Sequence, residues 1–229
     1  MPSRYLIRQF TQNTIYHVYN RGVEKRKIFL DEQDYKVFLS YLREYLSPKP
    51  TLNELVKKEF SFKDRIFKGI PRQPNNYHGQ IELLAYCLMP NHFHFLIKQN
   101  NHINSLKEFM HSLLLRYSMY FNKRYERVGS LFQGKYKAII VMDETYVLHL
   151  SRYIHINPAE YTKNLLTAYS SYPEYVGVRN TDWVKPKLVL SYFNNQKFVP
   201  EFKKTSTYKK FVEDYLKDNS LVLENLTLE

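Results

Sequence analysis

Apolar and polar positions alternate along residues 14–22, TIYHVYNRG, and the run ends at a glycine, a pattern that predicts a β-strand. Tyr35, Phe38, Leu39, Leu42 and Leu46 then recur at helical spacing, with a start signal at Asp31 or Asp34, and Pro48 and Pro50 stop the run. Two apolar stretches, IELLAYCLM (81–89) and HFHFLIKQ (92–99), read as strands separated by a tight turn at Pro90–Asn91. Leu106, Phe109, Met110, Leu113, Tyr117, Tyr120 and Phe121 make the stripe of a long amphipathic helix. LFQGKYKAIIV (131–141) predicts a fourth strand, and Asp143 caps a helix that runs to Asn157–Pro158.

The order is therefore β-α-β-β-α-β with one more helix. That is the split βαβ, ferredoxin-like α+β arrangement: an antiparallel sheet with helices on one face, the other face open, and an additional helix after the last strand. Residues 1–160 form this unit, with a Pro-, Lys- and Asn-rich insertion at about 47–80 that reads as a long loop. Residues 161–229 are a C-terminal extension with turns and a helix around YKKFVEDYL. A chain of 229 residues suffices for one substantial core.

Charge sharpens the picture. A formal net charge of +12 favours a polyanionic partner, and the excess is uneven. Lys98, Lys107, Arg116, Lys123, Arg124, Arg127, Lys135 and Lys137 face only Glu108 and Glu126 in their stretch, whereas residues 211–229 are acidic. Tyrosines, 21 of them, interleave the basic segments as base-stacking surfaces require. Arg21, Arg116, Lys123, Arg124, Arg127, Lys135 and Lys137 are the candidate nucleic-acid contacts. No apolar run reaches the ~18 residues of a membrane span, and the first residues lack the apolar core of a secretory signal. A single cysteine, Cys87, excludes an internal disulfide and suits a reducing cytoplasm.

The chemistry centres on MPNHFHFLIK (89–98). In a strand, side chains at i and i+2 share a face, so His92 and His94 stand side by side while Phe93, Phe95 and Ile97 point the other way. Two imidazoles so placed are able to converge on one cation. In HLSRYIHIN, His149, Tyr153 and Asn157 repeat at i, i+4, i+8 along one helical face. An asparagine oxygen is an acceptable third ligand for a divalent ion, and a tyrosine one turn away is a candidate nucleophile. A bound cation offsets the charge that protects a phosphodiester from attack, and nearby positive charge would lower the tyrosine pKa from its reference of ~10. Alone, an H-x-H pair is weak evidence for a metal, and a tyrosine on an amphipathic helix is ordinarily a packing residue. Fold order, spacing and charge point in the same direction.

These stretches, together with YHVYNRGVEKRKIF, GSLFQGKYKAIIV and YVLHLSRYIHINPAEY, resemble the single-tyrosine transposases that carry a His-hydrophobe-His (HUH) motif. The likeness is to the insertion-sequence type and, more closely, to the REP-associated tyrosine transposases, over roughly residues 14–180. It implies His92 and His94 as metal ligands, Asn157 as a polar third ligand and Tyr153 as nucleophile. The cofactor it implies is Mg²⁺ or Mn²⁺. The partner is single-stranded DNA with hairpin or palindromic ends, cleaved and rejoined through a 5′-phosphotyrosine, and either monomers or homodimers fit the resemblance. Two alternatives share some of these features: an HUH replication initiator or relaxase, and a non-catalytic RRM-like sheet that stacks bases on aromatics.

Overall fold

A computed structural model describes residues 10–51, 54–62, 65–194 and 207–218. Glu224 and Glu229 of the acidic tail lie outside the described residues. The central sheet is formed by β1 (Thr14–Arg21), β4 (Ile81–Met89), β5 (His92–Gln99) and β6 (Lys137–Val141), in the order β4-β5-β1-β6 with every neighbouring pair antiparallel. Helices α1 (Glu32–Leu46) and α2 (Ser105–Arg124) cover one face, as the ferredoxin-like order predicts.

Each element follows from its local sequence. Asp31 caps α1 by accepting from the backbone N–H of Asp34, and Phe38, Leu42 and Leu46 are buried on its inner face. Leu106, Phe109, Met110, Leu113, Tyr117 and Phe121 of α2 bury against Phe93, Phe95 and Ile97 of β5 and Tyr16 and Val18 of β1. Gly22 ends β1 where the chain doubles back, and a Cβ there would lie 2.2 Å from the carbonyl oxygen of Arg26. That close approach excludes any side chain.

The second face is not open. Leu84, Ala85, Cys87, Met89 and Leu96 make it apolar, and exposed apolar area of that extent demands cover. The cover is α3 (Glu144–Ile156), the short α4 (Tyr172–Tyr175), α5 (Lys187–Asn194) and α6 (Tyr208–Asp218), through Ile154, Tyr172, Tyr175, Val189, Phe211 and Val212. Residues beyond 160 thus share a core with the sheet. They also cap its edge: Lys185 N–H donates to the Leu83 carbonyl at 2.8 Å and Ser171 N–H to the Tyr86 carbonyl at 3.0 Å, so β4 does not present a bare edge. Buried His155 ties the layers together, with Nδ1 2.7 Å from the Tyr208 hydroxyl and Nε2 2.7 Å from Ser171 Oγ.

Two local expectations change. Only residues 137–141 of the 131–141 stretch form a strand, because Gly134 turns the chain at φ +68° and Leu131 and Phe132 bury in the core. The 47–80 insertion contains a hairpin, β2 (Lys58–Phe62) and β3 (Arg65–Gly69), with Phe60 stacked on Phe67 at 5.5 Å. Its Ile66 and Phe67 are exposed, so the usual buried-face alternation that signals a strand is missing.

Candidate active site

Strand register assembles the site. β1 lies beside β5 with Tyr19 opposite His94 and Arg21 opposite His92, so alternation puts His17, Tyr19 and Arg21 on the face that holds both histidines. On the other side of β5, Cys87 of β4 pairs with His94. His17 and His94 stack with ring centroids 5.1 Å apart, and His17 Nε2 lies 2.9 Å from His94 Nδ1. His92 meets His94 edge to face at 5.0 Å, and its Nδ1 lies 2.6 Å from Asn91 Oδ1.

Helix α3 brings the fourth side chain. Asp143 caps it by accepting from Tyr146 N–H at 2.7 Å, and Val147, Leu150 and Ile154 bury its inner stripe. This sets Tyr153 edge-on over the histidines, 5.5 Å from the His94 ring and 6.4 Å from His17. One turn on, Asn157 Nδ2 donates to the Tyr153 carbonyl at 2.8 Å, and Pro158 starts a terminal 3₁₀ turn that carries Glu160.

Burial dominates the electrostatics. His17 is fully buried and its pKa falls to about 3; His94 is held well below 6.5, first by burial and then by His17 and His92. Both are therefore neutral near pH 7, the state an imidazole ligand requires. Burial raises the Tyr153 phenol to about 12, with a smaller push from the neighbouring Cys87, Glu160 and Tyr19, while a side-chain hydrogen bond with Asn157 acts the other way. The expectation of a lowered tyrosine pKa is thus reversed in the protein alone, because desolvation of the phenolate outweighs any positive charge nearby.

The residues fit a divalent cation in one respect that the structure displays directly. His92 and His94 are each engaged through Nδ1, by Asn91 and by His17, the outer-shell pattern that orients the remaining ring nitrogen of a metal-binding histidine. Asn157, using its amide N–H on the helix carbonyl, keeps its oxygen as an acceptor.

The other candidates divide. Arg21 reaches Gln133 and shares the histidine face, and Lys137 sits over the Tyr19 ring at 5.3 Å. Lys123 and Lys135 are exposed. Arg116 instead pairs with Glu44 at 2.6 Å, and Arg124 with Asp31 and Asp34 at 2.6 and 2.9 Å, all in the α1–α2 layer behind the sheet. Arg127 bonds Asn122 at 3.1 Å. The structure does not bring these three arginines to the histidines. His149 bonds Arg152 at 2.9 Å. His17, Tyr19 and Glu160 are neighbours of the site that the sequence reading missed; the i, i+2 spacing of His17 and Tyr19 in TIYHVYNR was the available signal.

Known proteins resemble this ferredoxin-like sheet, with its histidine pair beneath a helix-borne tyrosine, both in sequence and in fold. Residues 61–157, somewhat under half of the chain, match the family model described as Transposase IS200 like, and this segment contains His92, His94, Tyr153 and Asn157. That segment is similar to the IS200-like transposases. The fold of the chain is similar to that of a REP-associated tyrosine transposase solved bound to a REP hairpin, with TM-score 0.51 and 10% identity over 80% of this chain and 98% of the other. A protein from Deinococcus radiodurans R1, described as a candidate transposase, aligns at TM-score 0.36 and 15% identity over 67% of this chain and 95% of its own. No curated protein matches the chain by sequence. Among the described residues no helix is long and apolar enough to cross a membrane.

Proposed function

We propose that the chain cleaves and rejoins single-stranded hairpin DNA through a phosphotyrosine formed on Tyr153, with residues 1–160 as the catalytic unit and 161–229 as an extension that braces it. The observation that carries this reading is the edge-on seat of Tyr153 above His94 and His17, beside His92. The related structure's hairpin points to the same substrate class.

The phenol oxygen of Tyr153 attacks the phosphorus, the P–O3′ bond breaks, and the products are a 5′-phosphotyrosine and a 3′-hydroxyl. The phenol gives up its proton and the 3′ oxygen takes one up. Attack by a 3′-hydroxyl on the phosphotyrosine reverses the step and rejoins the strand. His92 and His94, with the Asn157 oxygen, would hold Mg²⁺ or Mn²⁺; bound there, the ion supplies charge that offsets repulsion by the phosphate oxygens. Two imidazoles suit Mn²⁺ better than Mg²⁺, which prefers oxygen ligands. Arg21 and Lys137 stand on the histidine side and, with exposed Lys135 two residues before Lys137, attract the backbone. A binder of the RRM kind would need Phe93 and Phe95 on an accessible face, and both are buried under α1 and α2.

Tyr153→Phe keeps the ring and its packing and deletes the attacking oxygen. Hairpin oligonucleotides incubated with Mn²⁺ and resolved on denaturing gels should show a covalent adduct for the wild type and none for the variant, with DNA retention preserved. An adduct formed by the phenylalanine variant at the wild-type rate would mean that another residue attacks.

A further inference from the structure

The insertion between α1 and β4 carries a second surface that the cleavage site does not use. Residues 47–80 hold seven basic residues against three acidic ones. The chain leaves α1 at Ser47 and rejoins the sheet at Ile81, and Tyr77 N–H pins the root by donating to the Tyr45 carbonyl at 2.8 Å. Met89, at the other end of β4, pairs with His92. The root and the histidines are therefore separated by the length of that strand, roughly 27 Å.

Register sorts the β2–β3 hairpin into two unlike faces. Cross-strand partners share a face, so Lys58, Phe60, Arg65 and Phe67 lie on one, and Glu59, Ser61, Ile66 and Lys68 on the other. On the second face the charges cancel, with Lys68 Nζ 3.4 Å from a Glu59 carboxylate oxygen. On the first they do not. Lys58 and Arg65 are exposed and have no ion-pair partner among the described residues. They bracket the stacked rings of Phe60 and Phe67, whose planes are 21° apart. Phe67 is 52% exposed, and neither ring joins an apolar core.

A two-stranded ribbon with no packed face is marginal in water, so covering these rings would stabilise it. Flat apolar rings between cations match unpaired bases strung on phosphates: the base stacks on the ring and the cations meet the backbone. A duplex hides its base faces. A second copy laid on the same face would set Lys58 and Arg65 against like charge.

We propose that the β2–β3 hairpin is an accessory arm that holds single-stranded DNA outside the cleavage centre, stacking a base on Phe67 and placing Lys58 and Arg65 on the neighbouring phosphates. That the strand is DNA rests on the cleavage reading above.

The test titrates the full chain against a fluorescent oligothymidylate and follows anisotropy over a salt series. Phe67→Ala should weaken binding roughly 5–100-fold, and Phe67→Trp should bind at least as tightly as wild type. Lys58→Gln combined with Arg65→Gln should lower the slope of log affinity against log salt by about 1.4, two phosphate contacts on a single strand. Tyr153→Phe, unable to form the adduct, should bind like wild type. Photo-crosslinking with bromodeoxyuridine in the strand should label the peptide that spans residues 58–69. Wild type and Phe67→Ala binding equally, or crosslinks confined to other peptides, overturns the arm and leaves the cleavage reading standing. A dimer in sedimentation that Phe67→Ala dissolves assigns the face to a second copy, and an arm-dependent preference for oligouridylate assigns it to RNA; either overturns the proposal. If Phe67→Ala does not fold, the charge variant decides, since it keeps both rings: an unchanged salt slope overturns the proposal. Strand binding through the arm without any Tyr153 adduct on hairpin DNA in Mn²⁺ sinks the cleavage reading and supports the arm.

Discussion

Lowering the pH from 7 to 5 in chelator-containing buffer should strip a large part of the stability of this fold, and the cause is histidine burial. His17 and His155 are both fully buried, and each titrates at about 3 in the folded protein. In the unfolded chain a histidine titrates near ~6.5. The folded pKa is depressed, so the unfolded chain binds more protons in this window, and stability falls as pH falls below about 6.5. Integrating the linkage relation from pH 7 to 5 gives about 2 kcal/mol per histidine. Two histidines therefore remove about 4 kcal/mol, against a typical net stability of roughly 5–15 kcal/mol. His94, depressed in the same direction, adds to the loss. The carboxylates Asp31, Glu32 and Glu54 are themselves depressed, so their contribution is lost only below about pH 4, and the window isolates the imidazoles. Urea denaturation at both pH values supplies the unfolding free energies, and His17→Phe should flatten the pH dependence by about 2 kcal/mol. Equal stability at pH 7 and pH 5 would refute the reasoning, because it would mean that these rings are protonated in the folded state and the second sheet face is wet.

Asp34→Ala should cost about 3–5 kcal/mol, since it strands Arg124 and removes the acceptor for Tyr120, Tyr125 and Leu30 N–H, while cleavage by the protein that remains folded is unaffected behind the sheet; a melt shifted by less than half of that would show that Arg124 and the two tyrosines find other partners. Lys137→Ala should reduce the slope of log affinity against log salt for single-stranded DNA by about 0.7, one phosphate contact, whereas Arg116→Ala, already paired with Glu44, should leave it unchanged. Fluorescence anisotropy over a salt series reads both, and a larger slope change for Arg116 would move the DNA path to the α1–α2 layer.

Much of the arrangement of the candidate site was legible in the sequence, because the signals are periodicities within single elements. Alternation in HFHFLIK separates His92 and His94 from Phe93 and Phe95, and the i, i+4 step from Tyr153 to Asn157 survives in α3 and its terminal turn. Asp31 and Asp143 mark helix starts through hydrogen bonds that span three residues. The β2–β3 hairpin escaped because both its faces meet solvent, so no buried stripe wrote itself into the sequence.

Other features belong to pairings between residues far apart in the chain. His17 becomes a neighbour of His94 only because β1 inserts beside β5 in one register, and a slip of one residue would turn it to the other face. The charge count treats Arg116 and Arg124 as bases for DNA; packing of α2 against α1 neutralises them with Glu44, Asp31 and Asp34, which lie more than 70 positions away. The apolar second face predicts a cover but not its identity, and helices α4, α5 and α6 supply it together with α3. Sequence alone determined which side chains share a face of each strand or helix, since backbone geometry imposes those periods locally. Tertiary structure decided which faces meet, which charges are spent and which imidazole leans on which, since those depend on contacts that exist only once the sheet has closed.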